Sequence, residues 1–153
     1  MKQQKDYEEA LSFAYFSAGK LELCQTLKKK NKNKLFGICV GSLIVSLKQQ
    51  SGLSWLNSYW KIEQSPRGYA VPCLPKEEDF NLICRRQEDI NKVLEMLRQK
   101  GIDADLLDEK AVYWLRDNFS HSLAFAFMMK ERLATLRDKF DDKACLSRFV
   151  WYL

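Results

Sequence analysis

The sequence predicts an α+β fold in which N- and C-terminal helices pack on a small mixed or antiparallel sheet containing a strand-helix-strand unit. Three observations carry this expectation. Over residues 79–107, the alternating run Phe80-Asn81-Leu82-Ile83-Cys84 precedes Ile90, Val93, Leu94 and Leu97, whose i, i+3, i+4, i+7 spacing is that of one helix face. A second alternating run, residues 102–107, follows. Helical stripes stand on either side of this unit: Tyr7, Leu11, Ala14, Ala18 and Leu21 before it, and Phe125, Met129, Leu133, Leu136 and Phe140 after it. At 153 residues, with 46 % hydrophobic and 29 % charged residues, the chain has a globular composition and is expected to form one domain, 1–153.

Taken in order, residues 6–27 are expected to be helical, with Glu8 and Glu9 favourable to the start of the dipole and Gly19 as a point of kinking. Asn31 and Asn33 then favour a turn. Residues 35–50 fit a helix through Phe36, Val40, Leu43 and Leu47, while 43–47 also suits a buried strand. Helix is the favoured reading, with Gly37 and Gly41 giving it a smooth face and Gly52 ending it. Residues 60–63 and 69–73 are expected to pair as a hairpin around Ser65-Pro66-Arg67-Gly68, which has the Pro and Gly of a β-turn.

The central helix has Glu88 and Asp89 at its start, Arg98 and Lys100 at its end, and Gly101 to stop it. Asp108-Glu109-Lys110 either caps a further helix or turns into a strand over residues 111–116, which Val112, Tyr113 and Trp114 favour. Residues 120–140 give the longest helical pattern, ended by Asp141-Asp142. The terminal Phe149-Val150-Trp151-Tyr152-Leu153 is expected to be buried, in its own domain or in a dimer, because it would otherwise be an apolar patch.

Net charge is +5, which favours anionic partners. The charge is unevenly spread. Residues 76–118 hold eight basic and eleven acidic residues, a sum of −3, which leaves +8 for the remainder. An anion-binding face is therefore expected away from the central unit. The sharpest basic feature is Lys28, Lys29, Lys30, Lys32 and Lys34, five lysines within seven residues. Such a loop contacts phosphates without reading sequence. Arg85 and Arg86 are further phosphate candidates at a strand-to-helix junction, although Glu88 and Asp89 oppose an anion there. Trp55, Tyr59 and Trp60 suit either base stacking or a core.

Catalytic signatures are thin, no catalytic residue is assigned, and no cofactor is expected. The lone histidine, His121, lies at an expected helix start without a G-x-S-x-G motif. Five cysteines (24, 39, 73, 84, 145) contain no C-x-x-C pair, so reduced thiols are expected and zinc is not. Asp103 and Asp105, followed by Asp108 and Glu109, form a carboxylate group that suits either a divalent cation or a solvated strand face. The first residues run straight into charge, without the apolar stretch of a signal peptide. The longest apolar run, residues 35–47, is interrupted by serines and too short to span a bilayer. No membrane association is expected, and the location is expected to be cytoplasmic.

The principal expectation is a small, basic, non-catalytic protein that binds nucleic acid through its lysine-rich loop. A protein–protein adaptor or subunit, engaging a protein partner or a second copy, is the alternative. A third reading rests on resemblance. Leu35-Phe36-Gly37-Ile38-Cys39-Val40-Gly41-Ser42, followed by strand, strand, helix, strand, strand and helix over residues 35–140, resembles the layout of LAGLIDADG homing endonucleases. That family places an acidic metal ligand at the end of its first helix, where this stretch has neither Asp nor Glu. The resemblance implies a degenerate DNA-binding domain without the catalytic acid.

Overall fold

The structure, a computed structural model, describes residues 10–17, 20–27, 33–63 and 72–153. Among these residues the chain is α+β, with eight strands in two antiparallel sheets and three helices. The first half supplies β1 (Ser12–Ser17), β2 (Lys20–Cys24), β3 (Leu35–Val40), β4 (Leu43–Ser46) and α1 (Trp55–Glu63). The second supplies α2 (Glu77–Arg85), α3 (Gln87–Gln99), β5 (Val112–Asn118), β6 (Leu123–Met128), β7 (Leu133–Asp138) and β8 (Val150–Tyr152). One sheet has the order β2-β1-β3-β4-β8 and the other β5-β6-β7.

The expected terminal helices are replaced by strands. Residues 12–24 form the β1–β2 hairpin, because Phe13 and Tyr15 alternate into the core, which a helix would have splayed apart. Residues 6–9 and Gly19 of that expectation lie outside the described residues. Residues 35–46 are the β3–β4 hairpin and not a helix. Gly41, at φ +62°, and Ser42, at negative φ, form its two-residue turn, which is the type II′ pattern. This strand also removes the first helix of the homing-endonuclease layout, so that resemblance fails at its starting element. Residues 123–138 form the β6–β7 hairpin where one long helix was expected. Leu123, Phe125 and Phe127 alternate along β6, and the stripe from Met129 to Phe140 matched a helical period only because a four-residue turn, 129–132, intervenes.

The middle of the chain is more helical than expected, and neither sheet lies within residues 60–107. Residues 60–63 end α1, whose start is capped by Ser54 Oγ accepting the Asn57 N–H at 3.1 Å. Residues 80–84 belong to α2: Phe80, Ile83 and Cys84 share a buried helix face, and Glu77, Glu78 and Asp79 occupy its first turn. The turn expected at 65–68, and the strand expected at 69–73 apart from Pro72 and Cys73, fall outside the described residues.

The expectation for α3 holds. Ile90, Leu94 and Leu97 are buried, and Gly101 at φ +80° completes a Schellman motif. In it, Ile102 N donates to Leu97 O and Gly101 N to Arg98 O, each at 3.0 Å. Residues 102–107 form no strand, whereas 112–118 do, after a turn at 108–110 in which Asp108 Oδ1 accepts the Lys110 N–H.

One core cluster gathers Phe13, Tyr15, Ile38 and Val45 from the first sheet, Phe80 and Leu94 from the helices, and Tyr113 and Phe127 from the second sheet. On the other face of β5–β6, Trp55 of α1 packs with Trp114, Ala124 and Ala126. The segment after β7 stitches the sheets together. Leu146 pairs with β5, Ser147 with Gln50, and Phe149 and Val150 with β4.

Candidate functional site

Of the lysine run, Lys28, Lys29, Lys30 and Lys32 lie outside the described residues. Lys34 is exposed immediately before β3. The strand register sets its neighbourhood. Leu35 sits opposite Tyr15, and Lys20 opposite Ser17, so Lys20 and Lys34 flank the C-terminal end of β1 from its two sides. Both side chains are exposed.

Arg85 and Arg86 are not at a strand-to-helix junction but at the break between α2 and α3. Arg86 is buried, and its Nε reaches Asp89 Oδ2 at 3.2 Å. Arg85 is exposed and lines an open groove of about 600 Å³ along α3. Lys92 and Arg132 also line it, but so do Glu88, Glu95 and Glu109, so three cations meet three carboxylates and no net attraction for an anion results.

The other candidates scatter. Trp55 is core, its Nε1 donating to Leu115 O at 2.9 Å, while Tyr59 stacks on it with its ring half-exposed. His121 is exposed in the turn joining β5 and β6, not at a helix start. Ser120 Oγ holds that turn by accepting the Leu123 N–H at 3.1 Å. Burial pushes the thiols of Cys73 and Cys84 up, and that of Cys145 to about 12, away from the thiolate form a nucleophile requires. Among the described residues no group of three His, Cys, Asp or Glu side chains gathers as a metal site would need, and no helix is long and apolar enough to cross a membrane.

The carboxylates Asp103 and Asp105 do converge, and the group between them is a cation of the chain itself. Lys48 Nζ lies 2.9 Å from Asp103 Oδ1 and 3.2 Å from Asp105 Oδ1. Hydrogen bonds to Asp103 and then Asp105 raise the Lys48 pKa. Burial alone would raise that of Asp105, but the Gln49 N–H and Lys48 outweigh it and hold the carboxyl low.

Two arrangements escaped sequence reasoning. Arg148 is fully buried, with Nε on Ser46 O, Nη2 on Leu47 O, and Nη1 on Asp105 O and Gln49 Oε1. The same Gln49 oxygen accepts the Tyr113 hydroxyl at 2.6 Å. Desolvation lowers the Arg148 pKa to about 10, which leaves it charged at neutral pH. The only signal for this was an arginine placed directly before an apolar strand. In the second arrangement the Tyr152 hydroxyl donates to Asp79 Oδ2, which also accepts the Lys76 N–H at 2.8 Å, and the Lys76 ammonium lies 5.9 Å from the Tyr152 ring centre. Neither arrangement leaves an open coordination or binding position, and both tie distant segments together. Compared with family models and with curated proteins, the sequence matches none.

Proposed function

We propose that this chain binds nucleic acid through its phosphates, without reading base sequence, using Lys28, Lys29, Lys30, Lys32 and Lys34 together with Lys20. The observation that carries the reading is the exposure of Lys20 and Lys34 on both sides of the end of β1. A phosphate backbone crossing that end meets ammonium groups from both neighbouring strands. Lysine suits the task as a mobile point charge that needs no fixed geometry. Charge distribution supports the same orientation: the acidic excess of residues 76–118 falls on α2, α3 and the loop that follows α3, so an anionic strand is steered away from the helices.

The test is fluorescence anisotropy with duplex and single-stranded oligonucleotides across a salt series. Five phosphate contacts on duplex give a slope of about −4.5 in log affinity against log salt, or roughly 500-fold weaker binding between ~50 and ~200 mM. Changing all five lysines of the run to glutamine should flatten the slope while the melting temperature stays unchanged. Absence of binding at low salt, or an identical slope in the variant, removes the reading.

A further inference from the structure

We propose that β7 is a self-association edge, through which two copies of this chain pair antiparallel about Thr135. The pairing sets Arg132 of each copy against Asp138 of the other. The inference is independent of nucleic acid binding.

β7 ends the three-stranded sheet, and its six pairs with β6 run without a register shift. The β1–β3 and β5–β6 pairs are both interrupted by shifts. Lys139 N donates to Ser122 O at 3.0 Å, which fixes the phase of the ladder. Leu133, Thr135 and Arg137 therefore turn their peptide groups to β6, and Ala134 and Leu136 turn theirs to the open side, as does the Asp138 N–H, while Asp138 O accepts the Asp141 N–H at 3.1 Å. Of the other three edge strands, β5 and β8 are covered, while β2 pairs with β1 alone. Trp114 N reaches Leu146 O and Arg116 N reaches Pro75 O along β5, both at 2.9 Å, and Cys73 exchanges two bonds with Val150 on β8. β7 carries no proline, lysine or bulge of the kind that blunts exposed edges.

Its charge pattern is complementary to itself. Lys130 and Arg132 flank Glu131 at its entry, all three exposed, and Asp138, Asp141 and Asp142 stand with Lys139 and Lys143 at its exit, so the entry is net positive and the exit net negative. Antiparallel pairing about Thr135 places Arg132 across from Asp138 twice, as a two-fold axis requires. The same geometry carries apolar surface into the contact, because Leu133 and Phe140, at opposite ends of the edge, are 58 % and 57 % exposed. Two contacts oppose it: Asp138 Oδ1 already accepts the Phe140 N–H at 3.0 Å, leaving Oδ2 for the facing Arg132, and Arg137 Nη1 caps Leu136 O at 3.1 Å, so that pairing must displace that guanidinium with a peptide N–H. Arg137 therefore tunes the strength of the contact.

Sedimentation velocity over a concentration series, without nucleic acid, tests the proposal. The wild-type chain should show a concentration-dependent monomer–dimer equilibrium. R132D and D138R should each weaken it by about tenfold, since each change creates like-charge contacts twice, and R132D/D138R should restore it. R137A should tighten it. Melting curves of all four variants confirm that each is folded. A monomer at every concentration, or a dimer that the swap neither weakens nor restores, overturns the proposal.

Discussion

Arg148 Nη1 donates to the backbone carbonyl of Asp105 at 2.8 Å, across 43 residues of sequence, from a position with no solvent contact. The guanidinium thereby holds the loop after α3 against the end of β4, where Ser46 O and Leu47 O take its other donors. Burying this charge is costly, but every donor pointed inward meets an oxygen, and no buried side-chain polar atom among the described residues is left without a partner. Removing the side chain reverses the balance, because Ser46 O and Asp105 O lose this donor in a dry site, although Leu47 O keeps the Asp105 N–H and Gln49 keeps the Tyr113 hydroxyl. Arg148→Met is expected to cost about 3–5 kcal/mol, and Arg148→Lys nearly as much, because one ammonium cannot reach all the acceptors. Urea titration of both variants checks this.

Lys48 and Asp105 give stability opposite limits in pH. Asp105 has a folded pKa below its unfolded value, so its contribution is present above the unfolded value, near ~3.9, and is lost as pH falls through the folded one. Lys48 is raised, so its contribution is present below its unfolded value, near ~10.4, and is lost as pH rises through the folded one. Asp105→Asn should flatten the acid limb of a plot of urea midpoint against pH, and Lys48→Met the alkaline limb. Equal slopes for variant and wild type would contradict the assignment.

Gly37 answers a close approach inside a sheet, not a helix contact. A Cβ there would lie 2.5 Å from Ile44 Cγ2 and 2.7 Å from Val45 O on the paired strand. The carbonyl belongs to the backbone and is held in the β3–β4 ladder, so it cannot yield cheaply. Gly37→Ala is expected to cost about 1–3 kcal/mol as overpacking, read as a fall in melting temperature with unchanged far-UV circular dichroism.

How far the sequence was legible depended on whether one periodicity dominated. α3 was legible because charge, stripe and stopping glycine agree. β3 and β4 were not: with nine of residues 35–46 buried, on both sheet faces, apolar positions match either period. The Gly41-Ser42 turn was the local clue that outweighed it. α2 was misjudged because five residues were matched to a strand while Glu77-Glu78-Asp79, a helix-start signal, stood just before them. Of the candidate site, exposure of Lys34 and Arg85 follows from charge, but the inward turn of Arg86 does not, because it depends on Asp89 one helical turn later. The Arg148 and Tyr152 contacts join segments 43 or more residues apart, a separation that local pattern does not encode.

The C-terminal strand is expected to be indispensable, and its tyrosine to matter less. Val150 is fully buried, Phe149, Trp151 and Tyr152 are partly so, and Leu153 is exposed, so the expectation of a buried terminus holds for its middle and not for its last residue. Val150 bonds on one side to Cys73 and pairs on the other with Val45, which makes β8 the strap between residues 72–76 and the first sheet. Deleting residues 149–153 removes that pairing together with burial worth ~1.5–3 kcal/mol for each large side chain fully enclosed. Against a total stability of about 5–15 kcal/mol, the truncated chain should lose its cooperative melting transition. Tyr152→Phe keeps the packing and removes the hydroxyl's bond to Asp79, which retains the Lys76 N–H, together with its contacts to Arg116 and Cys73. It should cost about 1–2 kcal/mol, in the range for a bond to a charged acceptor at a half-buried site. Differential scanning calorimetry of both variants separates the two effects, and a truncated chain that melts like wild type would show that β8 is not the strap.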